Sequence, residues 1–178
     1  RALGKLGDPQ ALQAVVEQFL HAEPSVRAEA VTAAARLVDD SNAETVRQTI
    51  RQLAVETIGT DTSGRLANSV LRQTIAQYQL DTLAFGATME RVGDEAKAGH
   101  GLGAASSIFK YYGTELNKRR NELNMAALGE SALGWEGEAY HDGVASRDWL
   151  RSKGNSIEGG TSEVQMNVIA KRVLGLPD

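Results

Sequence analysis

The 178-residue sequence places a carboxylate, two glycines and three polar side chains together near its C-terminal end. Glu158 could take up a proton, and the pair Gly159–Gly160 would let the main chain approach a ligand closely. A helix is predicted to begin directly afterwards, and the residues at its start are Thr161, Ser162 and Glu163. Because the first N–H groups of a helix have no partner within it, they suit the oxygens of a phosphate.

The same segment has a second interpretation that needs no ligand. Ser162 and Gln165 have the spacing of a capping box, in which two side chains satisfy the N–H groups at the start of a helix. The sequence favours neither interpretation over the other.

Other polar or aromatic groups are more typical of structure than of chemistry. The run Lys118-Arg119-Arg120 has the charge to attract a phosphate, but such a run is usually a solvated helix face. Trp135 and Trp149 are predicted to pack rather than to line a pocket. Adjacent residues rarely face each other on a helix, so we assign no role to His141 and Asp142.

The composition excludes several kinds of site. With no Cys, the sequence has no thiolate nucleophile, disulfide or Cys-ligated metal, and its three His lack ligand spacing, so no metal site is expected. The net charge of −4 argues against nucleic-acid binding, and no apolar run reaches the roughly 20 residues that cross a membrane. Nothing at Arg1 resembles a signal peptide, so a cytoplasmic protein is expected. A first residue other than Met is compatible with a piece of a longer chain.

Helices are expected to position the candidate segment, because helix-forming residues are abundant and no alternating run predicts a strand. Apolar spacing predicts helices at about residues 65–97, 105–128, 147–151 and 162–174. The polar stretch 59–64 is the clearest linker. We therefore predict an all-α fold in two parts, residues 1–58 and 65–178.

The first part, residues 1–58, resembles a HEAT-type helical repeat. Gly7-Asp8-Pro9 precedes one predicted helix, and Pro24-Ser25-Val26-Arg27 precedes its antiparallel partner. Such repeats are usually stable only in groups of about three, because each buries its apolar face against its neighbours. A plain helical hairpin with similar turns is the alternative.

The second part contains more specific motifs. Ser106–Arg120 reads SSIFKYYGTELNKRR, Asn155–Gln165 reads NSIEGGTSEVQ, and Ile169–Pro177 reads IAKRVLGLP. Together they resemble the C-terminal helical domain of the acyl-CoA dehydrogenase family, over about residues 66–178. The resemblance implies an up-and-down helical bundle.

Members of this family carry FAD and desaturate an acyl-CoA thioester between its α and β carbons, so the resemblance implies both molecules as ligands. It also implies that the N–H of Gly159 holds the thioester carbonyl. In many relatives the catalytic base is a Glu immediately before Gly-Thr-Ser; here that position is Gly159, and Glu158 lies one residue earlier. Glu158 is the candidate base, although some relatives carry the base on an earlier helix. The family's FAD contacts match Thr161, Ser162 and Glu163.

The family's active site also uses an N-terminal helical domain and a β-domain, for which this sequence has no counterpart. The resemblance therefore implies a protein that is inactive without further domains or a partner subunit, and it implies a homo- or hetero-oligomer. A non-catalytic helical scaffold or protein-interaction module is the alternative function.

Overall fold

In a computed structural model, the described residues are 40–101, 103, 105–137, 140 and 143–177. They form five α-helices and no strand, which confirms the predicted all-α fold. The HEAT-like helix pair predicted before residue 40 lies outside the described residues. The helices are α1 (Asp40–Ile58), α2 (Ser69–Lys97), α3 (Ala105–Leu128), α4 (Val144–Lys153) and α5 (Ser162–Val168).

Helix α3 is the central element, since each of the other four helices packs against it. Helix α2 runs antiparallel to it. Phe85 contacts Phe109 near the start of α3, with ring centroids 6.0 Å apart, whereas the earlier residue Asp81 pairs with Arg119 further along. Gly113 allows the two helices to approach, because a Cβ there would lie 3.3 Å from the Phe85 ring.

Helices α1, α2 and α3 share one apolar core. Burying an aliphatic side chain of this kind contributes about 1.5–3 kcal/mol, so these contacts hold α1 firmly on the other two helices. The cluster comprises Ile50, Ala54, Leu66, Leu71, Ile75, Leu123 and Ala127. The division into residues 1–58 and 65–178 stays a prediction.

Helix α2 begins at Ser69, four residues later than the predicted start at residue 65. Asn68 is its N-cap, and its side chain accepts from the N–H of Leu71 at 2.9 Å. Before it, the Asp61 carboxylate accepts from the N–H groups of Ser63 and Arg65, at 2.9 and 3.0 Å. These local hydrogen bonds compete with the helix, so the polar stretch 59–64 and the residues just after it form a defined loop.

The C-terminal elements lie along α3. Helix α4 is longer than the predicted 147–151, and Lys153 near its end pairs with Glu122 of α3 at 2.5 Å. A 3-10 turn, Gly154–Ser156, follows at once. After α5 the chain continues as a π-helical turn, Ile169–Val173, so the predicted helix at 162–174 changes type part-way.

Candidate functional site

The glycine pair lies in the turn between α4 and α5, just after the 3-10 turn that packs against α3. Gly159 and Gly160 have φ angles of +60° and +97°, which side chains disfavour. A Cβ on Gly160 would also lie 2.8 Å from the side-chain nitrogen of Gln165. Glycine is therefore required for this turn, and Gly159 remains exposed to solvent.

The start of α5 is capped differently from the sequence expectation. Thr161 is the N-cap, and its hydroxyl accepts from the N–H of Val164 at 3.2 Å. The Gln165 side chain donates instead to the carbonyl of Gly159, at 3.0 Å. The capping box of Ser162 and Gln165 is thus not formed, because the helix begins at Ser162 itself and places the cap one residue earlier.

Two buried side-chain atoms in the first turn of α5 lack a hydrogen-bond partner. Among the described residues, the buried side-chain oxygens and nitrogens without one are the Ser162 Oγ and the Gln165 Oε1. Both residues are more than nine-tenths buried, with 8% and 4% of their surface exposed. An unpaired buried polar group costs about 1–3 kcal/mol, so each is a point at which a hydrogen-bonding ligand would gain.

Glu158 is held by two neighbours. Its Oε1 pairs with the Arg151 guanidinium at 2.5 Å, and its Oε2 accepts from the Asn155 side chain at 2.9 Å. Burial alone would raise the pKa of Glu158, but these hydrogen bonds and the charge of Arg151 outweigh burial and lower it. The carboxylate is therefore ionised and a weak base while Arg151 stays in place.

Glu163 lies exposed in the first turn of α5. Its own backbone N–H, followed by the Thr161 hydroxyl, holds the pKa of Glu163 below its usual value. The structure thus brings Glu158, Gly159 and the three proposed cofactor residues into one corner, with Ser162 facing inward and Glu163 outward.

A polar network beneath the turn was missed by the sequence analysis. Lys110 of α3, only 2% exposed, donates to the main-chain carbonyl of Asn155 at 3.0 Å. The Asn155 side chain accepts from Asn117 of α3 at 2.7 Å. The Lys118 ammonium donates to the Ser156 hydroxyl at 2.7 Å. The turn is therefore attached to α3 at three points.

One sequence signal could have revealed this network. Lys110, Thr114, Asn117 and Asn121 follow the i, i+4, i+7, i+11 spacing of a single helix face. Three of these four polar residues, Asn117 excepted, are buried. A polar stripe is normally assigned to solvent, but here it faces the C-terminal turn.

The basic run on α3 is used within the protein. Its members have intramolecular partners: Lys118 pairs with Glu115 at 2.6 Å, Arg119 with Asp81 at 2.7 Å, and Arg120 donates to Asn117 at 2.9 Å. It is therefore less available to a phosphate than a free run would be.

The two tryptophans each lie beneath a cation. Arg147 lies 4.0 Å from the ring centroid of Trp135, and Lys153 lies 4.9 Å from that of Trp149. Trp135 is 46% exposed, so its contact with Arg147 lies at the surface. His141 and Asp142 lie outside the described residues.

A groove of about 600 Å³ lies elsewhere, between the first half of α2 and the last half of α3. Its lining includes Val70, Tyr78 and Leu123, but no residue of the turn between α4 and α5. The groove and the candidate corner are therefore separate features.

A model of the acyl-CoA dehydrogenase C-terminal domain matches residues 12–174, which is most of the chain. This chain belongs to the acyl-CoA dehydrogenase family. The match begins well before residue 66, the start of the resemblance seen in the sequence motifs. Comparison with curated proteins gives no match.

A chain in the crystal structure of the ChsE4–ChsE5 complex from Mycobacterium tuberculosis has a similar fold, with a TM-score of 0.54. The two are 21% identical, and the similarity covers 86% of this chain but 40% of the other. This dehydrogenase-family chain thus spans less than half the length of that relative.

Among the described helices, none has the length and hydropathy to span a membrane.

Domains of this family generally bind FAD, and the corner has features that fit such a group. Gly159 and Glu163 are exposed, so the corner is open on one side. The buried, unpaired Ser162 Oγ belongs to a residue that lies between them in the sequence. Residues of suitable chemistry are therefore present for a dinucleotide.

Proposed function

We propose that this domain forms part of the active site of an FAD-dependent acyl-CoA dehydrogenase, in which an acyl-CoA thioester is desaturated between its α and β carbons. The observation that carries the proposal is the exposed glycine turn at the start of α5, in a chain of this family. Glu158 lies on one side of that turn, and the polar start of α5 lies on the other.

The first turn of α5 is the proposed contact with the cofactor. FAD, when bound, supplies the acceptor for the hydride that leaves the β carbon. The Thr161 hydroxyl, which accepts from the N–H of Val164, and the exposed Glu163 carboxylate would contact the cofactor. The buried Ser162 hydroxyl would gain the partner that it lacks.

Gly159 is the proposed contact with the thioester. Its main-chain N–H would donate to the carbonyl oxygen, on which negative charge develops as the α proton leaves. A residue without a side chain allows the acyl group to approach this N–H closely.

Glu158 is the proposed base, and it would take the α proton. The pairing with Arg151 must first be broken, because it lowers the pKa and weakens the base. We propose that substrate displaces the Arg151 side chain, which is 55% exposed, and excludes water from the carboxylate. Both changes raise the basicity of Glu158.

Further protein is proposed to complete the site. The similar chain of known structure is two and a half times as long as the part matched here, and it belongs to a complex of two proteins. We propose that additional sequence or a partner subunit walls the pocket, in a homo- or hetero-oligomer located in the cytoplasm.

The proposal is tested by the visible absorbance of the purified protein, together with any subunit that copurifies. We expect a flavin spectrum that an acyl-CoA bleaches under anaerobic conditions. If the protein, purified together with the further sequence or subunit that completes the site, is folded but colourless and gains no flavin from added FAD, the proposal is refuted and the non-catalytic scaffold is supported.

The role of Glu158 is tested by Glu158→Gln. This variant is expected to retain bound FAD. The rate at which an acyl-CoA reduces that FAD should fall by more than about 100-fold, because the proton acceptor is lost. Glu122→Gln is a matched control, since Glu122 also pairs with a cation of α4, at 2.5 Å, yet lies outside the corner. Equal rates in the two variants would exclude Glu158 as the base.

A further inference from the structure

Lys110 is a buried lysine that lies beneath the candidate corner. It is 2% exposed, and its ammonium donates to a main-chain carbonyl, that of Asn155, rather than forming one of the ion pairs among the described residues. Burying an ammonium is costly, and an apolar side chain of similar size would pack at lower cost. Packing alone therefore does not account for a lysine at this position.

Asn155 connects Lys110 to the proposed base. Its main-chain carbonyl accepts from Lys110, its side-chain oxygen accepts from Asn117, and its side-chain nitrogen donates to Glu158 at 2.9 Å. Asn155 is itself 4% exposed, so it has little freedom to turn. The orientation of the Glu158 carboxylate thus depends on where α3 holds Asn155, in addition to its pair with Arg151.

The turn that follows is attached to α3 through Asn155 and through Ser156, which accepts from Lys118. Gly159 and Gly160 lie four and five residues after Asn155 in the sequence. The Gly159 carbonyl accepts from the side chain of Gln165, which belongs to α5. A shift of Asn155 would therefore be passed on to the glycine turn.

We infer that Lys110 is a positioning residue: through Asn155, its ammonium fixes the Glu158 carboxylate and the Gly159–Gly160 turn relative to α3. The consequence for catalysis rests on the proposed function, whereas the positioning itself does not.

The charge of Lys110 has a second effect on the same carboxylate. Burial lowers the pKa of Lys110, while the nearby carboxylates Glu158, Glu115 and Glu163 oppose that change and the Lys118 charge adds to it. In turn, Lys110 helps to lower the pKa of Glu158, together with Asn155 and Arg151. Removing the Lys110 charge is therefore expected to raise the pKa of Glu158.

The experiment compares Lys110→Met with Lys118→Met by NMR on the full protein without FAD. Both changes remove one lysine of α3 next to the 154–156 turn, but Lys118 donates to the Ser156 hydroxyl and not to Asn155, the residue whose side chain donates to Glu158. We expect Lys110→Met to shift the amide signals of Gly159 and Gly160 and to raise the titration midpoint of the Glu158 carboxyl. Lys118→Met should leave that midpoint in place.

Lys110→Gln provides a second variant if Lys110→Met fails to fold. It keeps a donor for the Asn155 carbonyl but removes the charge, so it should raise the Glu158 midpoint as Lys110→Met does. Unchanged glycine amides and an unchanged midpoint in the folded Lys110 variant would overturn the inference, whether or not the protein binds FAD.

An activity measurement adds the catalytic consequence. In the flavin-loaded enzyme, Lys110→Met is expected to lower kcat by about 10- to 100-fold, because a small misplacement of a reacting group has an effect of this size. The acidic limb of the pH–rate profile should also move to higher pH. A fall in kcat with an unmoved acidic limb and an unmoved NMR midpoint would indicate a merely structural lysine.

Discussion

Glu158 has two possible uses, and the cation beside it determines which one applies. With Arg151 at 2.5 Å and Asn155 at 2.9 Å, its carboxylate stabilises the turn rather than accepting a proton. The pair is partly exposed, with 30% of the Glu158 side chain and 55% of the Arg151 side chain open to solvent. Ion pairs of this kind contribute about 0–1 kcal/mol, so a ligand could displace Arg151 at modest cost.

The stabilising use of Glu158 predicts a pH-dependent effect of Glu158→Gln. At pH 7 we expect the variant to lower the free energy of unfolding by about 0.5–1 kcal/mol, measured by urea denaturation. The pKa of Glu158 is lowered by folding. Its contribution is therefore complete above the unfolded value of about 4.3 and is lost as the pH falls through the lower folded value.

The difference between wild type and Glu158→Gln should accordingly shrink as the pH falls below about 4. In an Arg151→Met background, Glu158→Gln should lower the free energy of unfolding by less at pH 7, because the cation that pairs with Glu158 is already absent. A difference that stays constant down to pH 2 would contradict this account of Glu158.

At the scale of the element, the Thr161 hydroxyl stabilises the start of α5, whereas the neighbouring Ser162 hydroxyl does not. Thr161→Ala removes the N-cap that accepts from Val164 and is expected to lower the free energy of unfolding by about 1 kcal/mol. Ser162→Ala removes a buried hydroxyl with no partner and should be neutral or stabilising in the protein without FAD. Thermal unfolding of both variants measures the contrast, and a larger cost for Ser162→Ala would restore the capping-box interpretation.

The helices show which features of the structure the sequence could predict. Apolar spacing predicted α3 at 105–128, the extent that the structure has. The predicted start of α2 was four residues too early, because side-chain hydrogen bonds of Asp61 and Asn68 hold the residues before Ser69 in a loop. Periodicity carries no information about such local competition.

The candidate corner was also only partly predictable. The residue types at 158–163 indicated it, but the partners Arg151 and Lys110 depend on how α4 and the turn pack on α3. Asn117 and Asn155, for example, are 38 residues apart in sequence and meet only in the folded chain. The helical spacing of the polar stripe shows that its residues share a face, but it does not show that so distant a segment covers that face.

At the scale of the whole molecule, the polar stretch 59–64 does not separate α1 from the helices that follow. Ile50 and Ala54 of α1 are almost fully buried, at 1% and 0% exposure, in the core formed with α2 and α3. The family match likewise begins at residue 12 and continues through this stretch. Both observations suggest that α1 is an energetic part of the bundle that supports the site.

Ile50→Ala tests that suggestion. A truncation at a buried position of this kind typically costs about 2–5 kcal/mol, and if α1 shares the core, the whole bundle should unfold earlier in a single transition. Fluorescence of Trp135 and Trp149, which lie far from Ile50 in sequence, reports on the C-terminal part during urea denaturation. Leu80→Ala is a control, because Leu80 is 62% exposed and should shift the midpoint little. If Ile50→Ala left the tryptophan transition unchanged, α1 would be an independent unit, and the division near residues 59–64 would hold energetically as well as in sequence.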